Sequence, residues 1–156
     1  MKQFSEVTER IRTSGRATKR LQWKLVSDTK VERKRLGGPA DMKVYAPLFD
    51  GAPSEMFVAF FIDADCRVIC YDVVSSGMLN ICPVDARGVF RGAILSNAYG
   101  VIIAHNHPSG NLEPSPEDIN VTKKLIEAGK LLNIPVVDHV LFADNEMRSF
   151  ALSNLI

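Results

Sequence analysis

One stretch, residues 101–118 (VIIAHNHPSGNLEPSPED), limits the folds available to this chain more than any other. It opens with three β-branched apolar residues, a composition that favours a buried strand. His105 and His107 follow at the carboxyl end of that strand with a spacing of two. Because successive side chains of an extended chain point to opposite faces, this spacing places both imidazoles on one face.

The end of the same stretch has the features of a helix start. Ser115 suits the N-cap and Pro116 the first helical position. Asp118 then falls in the first turn, where we expect its carboxylate to face back toward the two histidines. Two imidazoles, one carboxylate and an open fourth position form the ligand set of a catalytic zinc site.

Each fragment also has an ordinary structural interpretation. A His-x-His pair is often two unrelated surface or half-buried residues, and Ser-x-x-Asp before an apolar helix is often only a cap. The combination is more specific, because His-x-His, seven residues and Ser-x-x-Asp fix four residue types at set positions. Zinc in such a site lowers the pKa of bound water toward about 7, and hydrolysis then needs a further carboxylate to carry the proton.

This combination resembles the signature of the JAB/JAMM (MPN+) metalloprotease superfamily, an upstream Glu followed by His-x-His-x7-Ser-x-x-Asp. Further segments narrow the resemblance to the RadC-like branch: HNHPSG at residues 105–110, PSPED at 114–118, TKKLIEAGKLLNI at 122–134 and the Asp138-His139 pair. The similarity extends from about residue 55 to residue 150.

The resemblance implies a three-layer, mixed-sheet α/β fold of the JAB/MPN (cytidine-deaminase-like) type with a small N-terminal extension. It implies that His105, His107 and Asp118 bind Zn(II), and that a metal-activated water hydrolyses an amide bond of a peptide or isopeptide. Glu55 would be the general acid/base, and Ser115 would donate a hydrogen bond to the oxyanion. Alternatively, Glu55 is a solvated carboxylate at the end of a strand and has no catalytic role.

The hydrophobic pattern predicts alternating strands and helices. Strands are expected at residues 55–62, 67–74, 101–103 and 136–142, with a further short one at 147–150, and helices at 40–49, 85–97 and 116–132. Residues 85–88 are Asp-Ala-Arg-Gly, whereas members of the resembled family usually have His-Pro-Arg-Glu there. Only the arginine, Arg87, is shared. We expect His139 in the core or beside a metal ligand rather than as a ligand.

Charge divides the chain into two parts, residues 1–40 and residues 41–156. The first contains eleven Lys or Arg against four Asp or Glu, and the second eight against fourteen. The basic part either docks on the acidic domain or contacts nucleic acid. The alternative function is therefore a DNA-repair or mobile-element accessory protein that binds nucleic acid and whose metal site is not a protease. A metal-binding scaffold without turnover is a third hypothesis.

The remaining features favour a cytoplasmic protein that does not contact a membrane. No apolar run approaches the length of a membrane-spanning helix, and the N-terminus lacks the apolar core of a signal peptide. Cys66, Cys70 and Cys82 favour neither disulfides nor a cysteine zinc cluster, and we expect reduced, mostly packed thiols. A base deaminase is excluded because its Pro-Cys-x-x-Cys element is missing. We also expect no helix-hairpin-helix module, which longer family members carry.

Overall fold

A computed structural model describes residues 34–77 and 84–156. A 3₁₀ helix (Pro39–Leu48) comes first, and the remaining elements in chain order are β1 (Met56–Ile62), β2 (Val68–Ser76), α1 (Ala86–Leu95), β3 (Gly100–Asn106), α2 (Pro116–Leu132), β4 (Val136–Ala143) and β5 (Glu146–Ser149). The elements predicted within the described residues are all present. A short helix predicted at residues 1–13 and a strand predicted at residues 21–26 lie outside the described residues, as does most of the basic segment proposed to contact nucleic acid.

The five strands form one mixed sheet in the order β2-β1-β3-β4-β5, so β3 is its central strand. β1 pairs antiparallel with both β2 and β3, whereas β3 and β4 are parallel. A parallel pair needs a crossover connection, and α2 provides it. All seven residues of β3 are buried, as expected for a strand covered on both faces.

Both faces of the sheet are covered, which gives the three predicted layers. Alternate residues of β1 divide between two cores because strand side chains alternate in direction. Phe57, Ala59 and Phe61 pack with α1 and α2. Val58, Phe60 and Ile62 pack on the opposite face with the 3₁₀ helix. The α/β, mixed-sheet JAB/MPN-type fold predicted from the sequence is confirmed.

The spacing of apolar residues predicts one buried side on each α-helix: Val89, Phe90, Ala93 and Ile94 in α1, and Ile119, Thr122, Leu125, Ile126, Gly129 and Leu132 in α2. These stripes are buried or half-buried except near the carboxyl end of each helix. The buried apolar and small residues are Val89, Phe90 and Ala93 in α1 and Thr122, Leu125 and Gly129 in α2. Ile94 and Leu132 were also assigned to these stripes, but they are 59% and 44% exposed. Each lies in the last turn of its helix.

The described cysteines differ in their environments. Cys66 is an exposed free thiol in the turn between β1 and β2, so the prediction of a packed thiol is wrong for this residue. Cys70 is a half-buried free thiol, and burial raises its pKa. Cys82 lies outside the described residues. Within the described ranges, the helices are too short or too polar to cross a membrane.

Candidate metal centre

The carboxyl end of the central strand and the amino end of α2 bring three polar side chains together. His105 Nε2 lies 3.3 Å from Asp118 Oδ1, and His107 Nε2 lies 3.4 Å from Asp118 Oδ2. The two histidine Nε2 atoms are 3.2 Å apart. These three residues, which the sequence predicted as zinc ligands, form a group that could hold a metal ion.

A capping box at the start of α2 fixes the Asp118 carboxylate. Ser115 Oγ accepts a hydrogen bond from the Asp118 backbone N–H at 3.1 Å and donates one to Asp118 Oδ2 at 2.7 Å. The Ser115 backbone N–H also donates to Oδ2, at 2.8 Å. The local sequence that begins the helix therefore also orients the carboxylate toward the histidines. The single hydroxyl proton of Ser115 is directed at Asp118 here, and its predicted contact with an oxyanion stays a prediction.

A buried chain of hydrogen bonds determines which nitrogen of His105 carries a proton. The Thr122 hydroxyl donates to the backbone carbonyl of Asp118, so its oxygen is left to accept from His139 Nδ1–H at 2.6 Å. His139 Nε2 is then unprotonated and accepts from His105 Nδ1–H at 2.7 Å. The tautomers follow from these partners, and they leave a lone pair on His105 Nε2.

The second histidine is held in the same way by the loop that follows β3. His107 Nδ1 lies 2.7 Å from the backbone carbonyl of Asn111, which can only accept, so Nδ1 carries the proton. His107 Nε2 therefore also presents a lone pair. In these tautomers two lone pairs and a carboxylate face one another, an arrangement that a cation bound among them would stabilise.

The surroundings also shift the pKa values of two buried groups. Burial raises the pKa of Asp118, but its contacts with His105 and its hydrogen bonds with Ser115 outweigh burial and hold that pKa well below its usual range. Burial also lowers the pKa of His139 well below its usual range, and the neighbouring His105 adds to the effect. Asp118 is therefore an anion at neutral pH and His139 a neutral hydrogen-bond acceptor.

The separations suit the ion that the sequence predicted. Zinc binds imidazole nitrogen and carboxylate oxygen at about 2.0–2.2 Å, and a tetrahedral arrangement at that bond length separates ligand atoms by about 3.3–3.6 Å. The two Nε2 atoms are 3.2 Å apart, with His105 Nε2 3.3 Å from Asp118 Oδ1 and His107 Nε2 3.4 Å from Oδ2, and one ligand atom from each residue lies within 4.8 Å of the other two. The donor set fits a small divalent cation, and the remaining coordination position would face away from these residues.

Glu55 directly precedes β1, next to the metal-binding strand. Phe57 pairs with His105 in the antiparallel register between β1 and β3, and continuing that register by two residues sets Glu55 opposite His107. The Asn106 side chain holds this segment, because its Oδ1 accepts from Met56 N–H at 2.8 Å. Glu55 itself is half-buried. Its predicted role as a general base stays a prediction, but the sheet brings it to the correct edge.

Sequence reasoning missed three contributors to this site. Thr122 was assigned only to the apolar stripe of α2, although a threonine buried among apolar residues indicates that its hydroxyl has a hydrogen-bond partner. Asn106 and Asn111 lie within the metal motif and received no role. His139 is buried beside His105 as predicted. Arg87, by contrast, is exposed and pairs with Asp85 at 2.7 Å, where α1 begins.

Comparison with known proteins agrees with this architecture. A family model described as the RadC-like JAB domain matches residues 38–155. A UPF0758 protein of Salinibacter ruber is 43% identical over 126 residues, which are 80% of this chain and 54% of that protein. A UPF0758 protein of Methanosarcina acetivorans is 41% identical over 115 residues, 72% of this chain and 49% of that protein. The chain thus spans about half the length of these relatives. With the family model covering most of the chain, the protein belongs to the RadC-like JAB domain family.

Proposed function

We propose that this chain is a zinc-dependent metallohydrolase of the JAMM type that hydrolyses an amide bond in a peptide or isopeptide. The observation that carries the proposal is the convergence of His105 Nε2, His107 Nε2 and the Asp118 carboxylate. The two nitrogens are 3.2 Å apart and each lies within 3.4 Å of one carboxylate oxygen, while Nδ1 of each histidine is paired elsewhere. A helix cap at Ser115, or two core histidines without a ligand, would not require the Nε2 lone pairs of both histidines to face a carboxylate.

Three residues, His105, His107 and Asp118, would hold the ion. Zinc bound there would supply a Lewis acid for the amide carbonyl and would lower the pKa of a water molecule toward neutrality. Three protein ligands and one open position are typical of catalytic rather than structural zinc. A cation bound there would take part in the reaction and would not serve only to stabilise the fold.

Glu55 would carry out the proton transfers of the reaction. Its carboxylate would accept a proton from the attacking water and donate it to the departing amine nitrogen, as a general base and then a general acid. The Asn106 side chain would keep this carboxylate at the site by holding the backbone on both sides of it, through Ser54 O at 3.5 Å and Met56 N at 2.8 Å. Ser115 would orient Asp118 and, by analogy with the family, assist the oxyanion.

The first experiment measures metal content by mass spectrometry on the full chain purified without added metal. We expect about one zinc ion per wild-type chain, and its loss in the His107→Ala and Asp118→Asn variants. Wild-type protein that carries no stoichiometric metal, even after zinc is supplied, would refute the proposal.

The second experiment separates a hydrolase from a metal-binding scaffold. The zinc-loaded protein is incubated with a peptide library and the cleaved amides are identified by mass spectrometry. Glu55→Gln should bind zinc normally but lose about 10²–10⁴-fold in rate, whereas Glu127→Gln, an exposed position on α2, should act like wild type. Equal rates for Glu55→Gln and wild type would remove Glu55 from the mechanism.

A further inference from the structure

A cavity of about 280 Å³ opens directly beside the metal centre. His107 and Asn106 form one wall of it. The other walls come from the segment that ends the 3₁₀ helix and from the tight turn between β4 and β5. This volume lies just below the roughly 300–1,000 Å³ typical of small-molecule pockets, which suits a single side chain of a larger substrate.

The apolar part of the cavity lining is smaller than the polar part and forms its floor. Phe49 and Phe142 stack there with ring centroids 4.8 Å apart, and Ala46 and Ala143 complete the surface. Both aromatic rings are buried in the core beneath the cavity. An apolar floor of this kind favours contact with an aliphatic chain and does not by itself recognise a charge.

The rim of the cavity is acidic. Asp50, Asp144 and Glu146 line it, and its described lining contains no Lys or Arg. Glu146 has a distant partner in Lys43, at 3.9 Å. Within residues 34–77 and 84–156, the ion pairs include none made by Asp50 or Asp144.

The Asp144 carboxylate lies against the loop that follows His107. Asp144 and Asn145 have φ values of 45° and 63°, which form the tight turn between β4 and β5. The turn places the Asp144 carboxylate against Gly110, so closely that a Cβ atom at Gly110 would collide with it. Gly110 lies three residues after His107, so this carboxylate lies next to the loop that follows a candidate metal ligand.

We propose that this cavity binds a basic side chain of the substrate, an ammonium or guanidinium group on an aliphatic stem, next to the amide that is cleaved. The inference rests on the proposed function for the position of the amide, but the binding of the basic group depends only on the cavity. The stem would lie on Phe49 and Phe142, and the cationic head would reach the carboxylates of Asp50 and Asp144. Such exposed ion pairs each contribute a roughly two- to five-fold preference.

The binding test uses the full chain and three small probes: N-acetyl-lysine methylamide, its uncharged norleucine counterpart and its glutamate counterpart. Chemical shifts are followed by NMR, with and without zinc. We expect the lysine probe to shift signals from Phe49 and Ala143 and to bind about tenfold more tightly than norleucine. The preference should decrease as salt concentration rises, because these charges are exposed to screening.

The matched variants are Asp50→Asn combined with Asp144→Asn, and Asp65→Asn as the control. Asp65 is an exposed residue of the β1–β2 turn, at the other end of β1 from the metal centre. The double variant should bind lysine and norleucine equally, and the control should keep the preference. Equal binding of lysine and norleucine by wild type, or shifts confined to other residues, would overturn the inference.

Cleavage assays separate the failure of this inference from failure of the proposed function. If Glu55-dependent cleavage occurs with no preference for a neighbouring Lys or Arg, the cavity proposal is refuted and the hydrolase stands. If the lysine probe binds at the cavity while the zinc-loaded chain cleaves no amide, the basic-group site stands and the hydrolase is refuted. Preference for lysine in both binding and cleavage, lost in the double variant, supports both.

Discussion

Replacing Thr122 with valine tests whether the buried hydrogen-bond chain keeps the metal centre ready for an ion. Valine keeps the shape of the side chain but removes the hydroxyl that accepts from His139 Nδ1–H and donates to the Asp118 carbonyl. His139 would then be free to move its proton to Nε2. That proton would face His105 Nδ1 and force the His105 proton onto Nε2, in the position that the metal needs.

The expected magnitude follows from the burial of these groups. Thr122 and His139 are both fully buried, so water cannot replace the lost hydroxyl. Loss of a hydrogen-bond partner to a ligating histidine typically weakens metal binding roughly 10- to 100-fold, about 1.4–2.7 kcal/mol. A buried His139 Nδ1 left without a hydrogen-bond partner, whether protonated or not, also destabilises the metal-free fold by about 1–3 kcal/mol.

The assay is competition for zinc between the protein and a chromophoric chelator, with Thr122→Ser as the matched control. Serine keeps the hydroxyl and removes only a methyl group, so its zinc affinity should stay within about threefold of wild type, although the lost methyl costs about 1 kcal/mol of stability. Imidazole nitrogen shifts of the metal-free protein report the tautomers directly. If Thr122→Val folds and binds zinc as tightly as wild type, the hydrogen-bond chain does not set the His105 tautomer.

Three further substitutions test other parts of the structure. Ser115→Ala should destabilise the protein by about 0.5–2 kcal/mol, measured by urea unfolding, and should weaken zinc binding because Asp118 loses a hydrogen bond. Gly92→Ala should lower stability by about 1–3 kcal/mol in thermal unfolding, since a Cβ atom there collides with the buried ring of Phe61. Asn106→Ala should keep the zinc content but lower the rate of amide cleavage, because it releases the backbone that precedes β1.

Each of these expectations has an outcome that contradicts it. Unchanged urea unfolding of Ser115→Ala would mean that the capping box adds nothing to the helix. A Gly92→Ala protein as stable as wild type would mean that the Phe61 ring moves aside without strain. For Asn106→Ala, loss of zinc would place its effect on the ligands, and an unchanged rate would show that it positions no catalytic group.

The elements of the fold could be predicted because their signals are local. The continuous apolar run of β1 and the apolar stripe of α2 are formed by residues a few positions apart, and the structure reproduces the predicted bounds of α2 without a shift. The prediction was wrong where tertiary packing decides burial, as at the exposed Ile94 and Leu132. The spacing of apolar residues shows which side of a helix is apolar, but it does not show which residues of that side the rest of the fold covers.

The same distinction applies to the site. Two close spacings, His105 to His107 and Ser115 to Asp118, predict from sequence alone the group that could hold a metal ion, because a strand end and a helix start orient side chains over only a few residues. The partners that complete the site are distant in sequence. His139 meets His105 across 34 residues, and the Asn106 side chain holds the backbone beside Glu55 across 50.

Only the tertiary structure could decide these longer relationships, because they depend on strand order and register. The antiparallel pairing of β1 with β3 sets Glu55 opposite His107, and the parallel pairing of β3 with β4 places His139 beside His105. The acidic cavity likewise forms where three separate segments meet. The sequence by itself therefore determined the candidate metal-binding residues and the order of the helices and strands. The packing of the sheet determined the tautomers of the histidines, the cavity and the residues that contact the candidate ligands. Contacts between distant segments exist only once those segments are packed together.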